Sequence, residues 1–304
     1  MRKFRMLALG ASVLVLFGAC STGGGGKPTL KIGSDGFDEA RVVAEVYAQV
    51  LEKNGYTVDR AGIGLGTRDA TNAALFSGQI DMKPEYIGSG AAKLGGQKTS
   101  DPAKNQQELQ RVLNDKAITV FGYTPGEDTN ALVVKKATAD QYHLSKWSDL
   151  TPIATQLKWG LATDCKTSPV CAGALKDAYG IDYAQLQVTP LDACSADMDS
   201  ALQNDTVQVA ELCSTGPEIL VNGWVLLEDD KKTQPADAIA PIIRNDWLAK
   251  TDKAAVQGIL DPVSAKIDTA TLADLYKQVS VDKKDIKDVA RAWLSAQGFL
   301  PAAS

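Results

Sequence analysis

A helix-and-strand unit that occurs twice limits what this chain can fold into. Asn72 to Leu75 and the apolar stretch Ile80 to Met82 recur 127 residues later as Asp199 to Leu202 and Val207 to Val209. Each copy predicts a short helix, a turn and a buried strand. A unit repeated so far apart in one chain predicts two lobes of similar construction.

The first copy leads into a polar, aromatic segment. Its helix is expected from Asp69 to Ser77, with Thr67 or Asp69 as N-cap and Gly78 as the stop. Pro84 favours extended backbone before it. The residues that follow should leave the strand toward the crevice where open α/β sheets bind ligands, namely Glu85, Tyr86 and Ser89. An ordinary surface loop is the alternative.

The second copy leads into an equivalent loop. With the offset of the repeat, Cys213 corresponds to Tyr86 and Gly216 to Ser89. A ligand clamped between two lobes would contact both loops. The sequence therefore predicts a binding site in a cleft between the lobes.

The N-terminus has the composition of an export signal. Basic residues precede an apolar run that is too short to span a bilayer and ends in small residues and Cys20. Leu16 to Cys20 resembles a bacterial lipobox, in which the cysteine is lipidated. Ser21 to Lys27 is a glycine-rich tether. A cleaved signal with an incidental cysteine is the alternative.

The charge balance excludes nucleic acid as the partner. The chain carries a net charge of −5, and removal of the signal segment 1–19 takes away basic residues, so the remainder is more acidic. No later stretch reaches the length of a membrane span. We expect an externally displayed body of one large or two medium domains.

Four cysteines remain beside the one assigned to lipid, and outside the cytoplasm they suggest two disulfides with three possible connectivities. We favour Cys165–Cys171, which closes a short loop, and Cys194–Cys213, because these residues begin a helix and end the neighbouring strand. A zinc site competes with this interpretation. It is disfavoured by the single histidine, His143, and by the lack of a CxxC pair.

Strands that alternate with helices predict an α/β fold. The first lobe opens with a strand at Leu30 to Ile32 and a helix from about Asp38 to Lys53. In the second lobe, strands at Lys158 to Leu161, Leu186 to Val188 and Val207 to Leu212 form a βαβ pattern that implies a parallel sheet. The expected segments are a tether at 20–28, lobe 1 at 29–129 plus 237–304, and lobe 2 at 130–236.

Six motifs cover nearly all of the mature chain in a fixed order: IGSDGF, GTRDATNAALFSGQIDMKPEYIGS, DTNALVVKKATADQYHLSKWSDLTPIA, AYGI, CSTG and VLLEDDKK with APIIR. As a set they resemble the substrate-binding proteins of ABC importers for osmoprotectants such as glycine betaine, choline and proline betaine. The resemblance implies a two-lobed type II periplasmic-binding-protein fold with two crossing strands as hinge. It also implies delivery of a small solute to a membrane permease and its ATPase. We expect a monomer without cofactor that is lipid-anchored to the bacterial cell membrane from outside.

The resemblance also implies a ligand site. The family holds quaternary ammonium groups in a cage of tyrosines by cation–π attraction. Tyr86 and Ser89 match the family's PEY motif and the hydroxyl after it. The residues expected at the site are Ser34, Asp35, Phe37, Thr67, Arg68, Tyr86, Ser89, Tyr123, Asn130, Cys213, Thr215 and Asp237.

Polar residues replace most of that cage. Lys83, Asn130, Cys213 and Asp237 stand at positions where family members carry aromatic residues. Each replacement removes about 0.5–2 kcal/mol of cation–π attraction and adds hydrogen-bonding groups. We therefore expect a solute with hydroxyl, amine or amide donors, accepted by Asp237, and weak binding of glycine betaine and choline.

Other function classes have less support. The chain has no GxSxG nucleophile and no metal-ligand spacing, and Cys165 and Cys171 are too far apart for a CxxC redox site. We expect no catalytic residues and no metal. A sensory or adhesive binding lipoprotein that is not coupled to transport is the main alternative.

We expect Cys20→Ser to release the protein into the medium, because the signal exports the chain while only the cysteine can carry the lipid anchor. Cell fractionation and mass spectrometry of the mature N-terminus measure this. An unmodified N-terminus at another residue would contradict the prediction.

Overall fold

The structure is a computed structural model that describes residues 27–302. The predicted signal segment, Cys20 and nearly all of the tether lie outside the described residues. Two five-stranded sheets with accompanying helices form two lobes. This confirms the predicted two-lobed α/β fold.

The first sheet is completed by a strand from far along the chain. Its strands are β1 Leu30–Gly33, β2 Val58–Gly62, β3 Met82–Tyr86, β4 Ile118–Val120 and β10 Ile239–Arg244. Their order is β2-β1-β3-β10-β4. β1 is parallel to both β2 and β3, whereas β10 is antiparallel to β3 and β4.

The second sheet uses only residues between those two parts. Its strands are β5 Asn130–Val134, β6 Lys158–Ala162, β7 Gln187–Leu191, β8 Val209–Cys213 and β9 Val225–Leu226. Their order is β7-β6-β8-β5-β9. The prediction of a parallel sheet holds for β7, β6 and β8, but β5 is antiparallel to its neighbours. The βαβ rule does not govern β5, because β5 arrives from the other lobe.

Twelve α-helices belong to the part of the chain that the structure describes. They are α1 Asp38–Lys53, α2 Arg68–Ser77, α3 Ile87–Lys93, α4 Pro102–Leu113, α5 Lys136–Tyr142, α6 Ala174–Asp177, α7 Ala196–Gln203, α8 Pro217–Asn222, α9 Asn245–Leu248, α10 Lys253–Ser264, α11 Thr269–Ser280 and α12 Ile286–Ala296. Shorter helical turns lie at Asn114–Lys116, Trp147–Gln156, Cys165–Thr167, Pro169–Gly173 and Tyr183–Gln185. Within 27–302, none of the helices has the length and apolar character needed to cross a bilayer.

α1 has the predicted bounds and organises the core of the first lobe. Acidic residues in its first turn and a lysine in its last turn suit the helix dipole. Val43, Val46 and Tyr47 are fully buried, and α12, α11 and α10 pack around this helix. The start of α1 is thereby fixed relative to the cleft.

The two copies of the repeated unit have the predicted form. α2 and α7 begin at N-caps Thr67 and Ser195, whose side chains accept hydrogen bonds from backbone N–H groups. Gly78 ends α2 in the left-handed conformation with φ of 78°. β3 and β8 follow as buried strands.

The predicted end of the strand in the first copy was wrong. β3 runs through Tyr86, so Glu85 and Tyr86 lie within the sheet instead of leaving it. β10 extends the strand by pairing along its whole length, with Pro241 opposite Pro84. The partner strand is too distant in sequence for local patterns to indicate this.

Two segments, 121–129 and 227–238, connect the lobes side by side. Glu127 and Ala238 form an antiparallel bridge, and the N–H of Asp128 donates to the carbonyl of Asp237 at 3.2 Å. The N–H of Ser214 donates to the carbonyl of Thr129 at 2.8 Å. The two lobes are thus connected by two neighbouring segments, as predicted for the hinge.

A buried ion cluster joins β3 to the loop before α1 and to α2. Lys83 is 0% exposed, and its Nζ lies 2.9 Å from Asp35 Oδ1 and 3.0 Å from Glu85 Oε2. The Nζ also donates to Thr71 Oγ1 at 2.9 Å, while Arg68 Nε lies 3.0 Å from Glu85 Oε1. Two cations and two carboxylates therefore compensate one another in the interior.

Replacing Lys83 with methionine should lower the free energy of unfolding by about 3–5 kcal/mol, because two buried carboxylates lose their shared cation. Lys93→Met is the control. Its ion pair with Asp69 is 2.9 Å long but 45% and 70% exposed, so less than about 1 kcal/mol is expected. Urea unfolding of both variants measures the difference. Equal losses would contradict the role of the cluster.

Candidate functional site

A cavity of about 370 Å³ lies between the two lobes. Its walls come from the start of α1, the crossing segment, the starts of α7 and α8, the end of β8, and α11. The lining residues are Phe37, Glu39, Asp128, Cys194, Ala196, Asp199, Leu212, Cys213, Thr215, Gly216, Pro217, Glu218 and Tyr276. A larger hollow of about 560 Å³ lies on the outside of the first lobe. That hollow contacts only one lobe and does not fit the predicted interlobe site.

Local sequence explains why carboxylates gather at this cavity. Glu39, Asp199 and Glu218 lie in the first turns of α1, α7 and α8, where the helix dipole favours negative charge. Asp128 arrives on the crossing segment. The cavity is therefore lined by four carboxyl groups, and none of its lining residues is lysine, arginine or histidine.

The pKa is raised for three of these carboxyl groups, those of Glu39, Asp128 and Asp199. Burial raises the pKa of Glu39 to about 7, and the charge of Asp128 adds to the shift. Burial also raises the pKa of Asp128. For Asp199, burial and then the charge of Glu218 raise the pKa to about 6. Burial is the largest cause of each shift, while hydrogen bonds from Thr215 to Glu39 and Asp128 and the charge of Lys98 near Asp128 lower the pKa in part.

Two buried oxygen atoms at the cavity lack a hydrogen-bond partner in the described structure. They are Glu39 Oε2 and Asp128 Oδ1. The other oxygen of Glu39 accepts a hydrogen bond from the hydroxyl of Tyr86. An unsatisfied buried polar atom costs about 1–3 kcal/mol, and more when charged, so a donor or a positive charge beside these atoms would be stabilising.

Aromatic rings complete the wall. Phe37 and Tyr276 line the cavity, and Phe37 is 42% exposed. Tyr86 is buried behind them, with its ring centroid 5.8 Å from that of Phe37. Rings next to carboxylates attract cations through both charge and π-face interactions.

The structure places three of the predicted site residues on the cavity wall, and Tyr86 supports that wall through Phe37 and Glu39. The three lining residues are Phe37, Cys213 and Thr215.

Asp237 and Ser89 bind each other inside the first lobe. Asp237 Oδ1 accepts from the backbone N–H groups of Gly88 and Ser89, both at 3.0 Å, and its Oδ2 accepts from Lys98 Nζ at 2.9 Å. The start of α3 needs such an acceptor for its free N–H groups. The carboxylate predicted to accept from the ligand is thus engaged with the protein.

Asn130 is exposed at the start of β5 and forms its hydrogen bond within the second lobe. Its Nδ2 donates to Glu211 Oε1 at 2.9 Å, and it lines a separate cavity of only about 10 Å³. Tyr123 packs against an apolar cluster of the first lobe. The remaining predicted residues lie in or beside the ion cluster of the first lobe and do not line the cavity: Ser34, Asp35, Thr67 and Arg68.

Sequence reasoning missed the cavity carboxylates and Tyr276. The position of Glu39, directly after the IGSDGF motif in the first turn of a predicted helix, is a signal that could have indicated it. Tyr276 gives no such signal, because its helix reaches the cleft only through packing of α11 against α8.

The predicted cysteine pairs are adjacent in space. The sulfurs of Cys165 and Cys171, and those of Cys194 and Cys213, lie within bonding distance, with Cα atoms 5.1 Å apart in each pair. Cys194 and Cys213 both line the cavity. This pairing, if covalent, ties the start of α7 to the end of β8.

Two lobes joined by two crossing segments, with a cavity between them, define a solute-binding protein of the type II periplasmic-binding fold. Residues 28–296 match the family of substrate-binding domains of ABC-type glycine betaine transport systems. The chain belongs to this family, and the predicted resemblance is confirmed.

Curated relatives and solved structures agree with this assignment. The glycine betaine-binding protein YehZ of Escherichia coli K12 is 27% identical, over 97% of this chain and 99% of that protein. A glycine-betaine-binding protein of Pseudomonas aeruginosa is 24% identical over 90% of this chain and 89% of its own length. The apo structure of Escherichia coli YehZ superposes with a TM-score of 0.76 at 26% identity, covering 90% of this chain and 99% of that one.

These findings confirm the predicted transport class. The protein is a substrate-binding component of an osmoprotectant-type ABC importer, and such components work outside the cytoplasm and deliver small solutes to a permease. The relatives are solute-binding transport proteins, which are not enzymes.

Glu39→Gln should raise the melting temperature of the ligand-free protein by a few degrees at pH 8 but not at pH 4.5. The pKa of Glu39 rises from 4.5 to about 7 on folding. The folded state therefore loses stability as pH rises from about 4.5 to 7, and the glutamine variant avoids that loss.

Glu108→Gln is the control for the melting experiment. A hydrogen bond from Arg111 lowers the pKa of this carboxyl to about 2, so its removal should not stabilise the protein at pH 8. The same change in melting temperature for Glu39→Gln at both pH values would contradict the argument.

Proposed function

We propose that the interlobe cavity captures a small organic cation for delivery to the permease. The observation that carries this proposal is the lining of four carboxyl groups with no basic residue. A single ion pair at 4 Å contributes about 4 kcal/mol at an effective dielectric constant of 20. A positively charged ligand that contacts several carboxylates would therefore gain favourable ion-pair energy.

The carboxylate of a zwitterion has no partner in this cavity. Glycine betaine, which the names of the relatives mention, carries a carboxylate as well as a trimethylammonium group. Its carboxylate would approach Glu39, Asp128, Asp199 or Glu218. Among ammonium solutes, those without a carboxylate should thus be preferred.

The amine-bearing ligand expected from sequence remains supported, but other residues recognise it. Glu39 and Asp128 take the role assigned to Asp237, while Phe37 and Tyr276 supply aromatic surface next to them. This change reverses the expectation for choline, because charge compensates for the missing tyrosines. Contacts with both lobes would favour the closed arrangement of the crossing segments.

The cellular setting is also part of the proposal. Segment 1–19 is removed, Cys20 carries the lipid, and the monomeric body stands off the membrane on its tether. Both cysteine pairs form disulfides in this oxidising setting. The two lobes comprise 29–129 plus 237–304 and 130–236, in agreement with the division of the strands between the two sheets.

Isothermal titration of the purified protein with choline and glycine betaine tests the ligand class. Both compounds carry a trimethylammonium group. Choline has a hydroxymethyl group where glycine betaine has a carboxylate. At pH 8 we expect choline to bind at least about tenfold tighter, because the carboxylate of betaine meets like charge. Tighter binding of betaine would refute the proposal.

The same titration at pH 6 and pH 8 tests the role of Glu39. Choline should bind about tenfold tighter at pH 8, because the carboxyl with a pKa of about 7 must ionise to attract the cation. Glu39→Gln should remove most of this dependence. Glu52→Gln, on the outer surface of the first lobe, should keep it.

A further inference from the structure

The four cavity carboxyl groups form two pairs. Glu39 and Asp128 belong to the first lobe and the crossing segment, and the charge of Asp128 contributes to the raised pKa of Glu39. Asp199 and Glu218 belong to α7 and α8 of the second lobe, and the charge of Glu218 contributes to the raised pKa of Asp199. Each side of the cleft thus brings its own pair.

Tyr276 connects the two pairs in space. Burial raises the pKa of its phenol, followed by the charges of Glu218, Glu39, Asp38 and Asp128. The ring therefore lies within electrostatic reach of both pairs. Tyr276 lines the same cavity, and its helix α11 packs against α8.

The pair at Glu39 and Asp128 requires hydrogen-bond donors. Glu39 is only 1% exposed, and Oε2 of Glu39 and Oδ1 of Asp128 are buried without a partner in the described structure. A trimethylammonium group offers charge but no N–H. A protonated primary amine offers three N–H donors and charge together.

A single metal ion does not fit the same groups. Within residues 27–302, the only set of three or more potential ligand residues whose donor atoms lie within 4.8 Å of one another is Cys165, Cys171 and Glu211. Among the described residues, no three of the cavity carboxyl groups have ligand oxygens within 4.8 Å of one another. Since the four groups line one cavity from elements of both lobes, a ligand with a positive charge at each end could contact groups of both lobes.

We propose that the cavity binds a linear diamine as its dication, with one ammonium group at Glu39 and Asp128 and the other at Asp199 and Glu218. The methylene chain lies against Phe37 and Tyr276. A volume of about 370 Å³ falls within the usual range of small-ligand sites. This inference rests on the proposed capture of an organic cation and specifies two charges instead of one.

Titration with 1,4-diaminobutane and 4-amino-1-butanol at pH 8 tests the inference. The two probes have the same chain length and differ in the second charge. We expect the diamine to bind at least about tenfold tighter, because only its second ammonium group can pair with Asp199 and Glu218. In Asp199→Asn/Glu218→Gln, that preference should disappear.

Asp197→Asn is the matched control, since Asp197 lies in the same first turn of α7 but does not line the cavity. It should keep the preference. A second measurement uses the unmodified protein at pH 5, where protonation of the raised carboxyls should reduce the preference several-fold. This measurement does not depend on the folding of any variant.

The outcomes separate the two proposals. Equal affinity for the two probes would overturn the two-charge site while leaving capture of a cation in place. Absence of binding by diamine, amino alcohol and choline alike would overturn both. Displacement of the diamine by millimolar calcium, with calcium alone raising the melting temperature, would assign the carboxylates to a metal ion and also overturn the inference.

Discussion

The balance of buried charge determines how this protein is built. Lys83 lies between Asp35 and Glu85 in the interior of the first lobe, so the negative charge there is compensated. Glu39 is equally buried, yet no cation accompanies it at the cavity. The ion cluster holds the loop before α1, and that loop sets the position of Phe37 and Glu39. The buried ion cluster thus holds the segment that carries two of the residues lining the interlobe cavity.

Much of the fold could be predicted from the sequence because it depends on local patterns. The bounds of α1, the N-cap of α2 and the glycine that ends it follow from apolar spacing and capping residues within one or two turns. The repeated unit indicated two lobes. The extension of β3 could not be predicted, because its antiparallel partner β10 lies beyond the whole second lobe.

The site was predicted less well, for a different physical reason. The family resemblance indicated which positions could contact a ligand. It did not indicate which neighbouring groups would hydrogen-bond to the polar side chains at those positions. Asp237 caps α3 and pairs with Lys98, and Asn130 bonds to Glu211. The resemblance implied aromatic residues at both positions, and each polar side chain has partners within its own lobe. Polar side chains at former cage positions do not form a polar cage if the protein itself satisfies them.

The position of β10 has a consequence for how the chain acquires its structure. This strand lies between β3 and β4 in the first sheet, although the entire second sheet precedes it in sequence. In a chain that becomes available from its N-terminus, the first lobe comes early but lacks an interior strand until residue 244 is present. The second sheet is contiguous and has lower loop-closure demands. The second sheet can thus be completed from residues 130–226, whereas the first sheet needs β10, which lies beyond them.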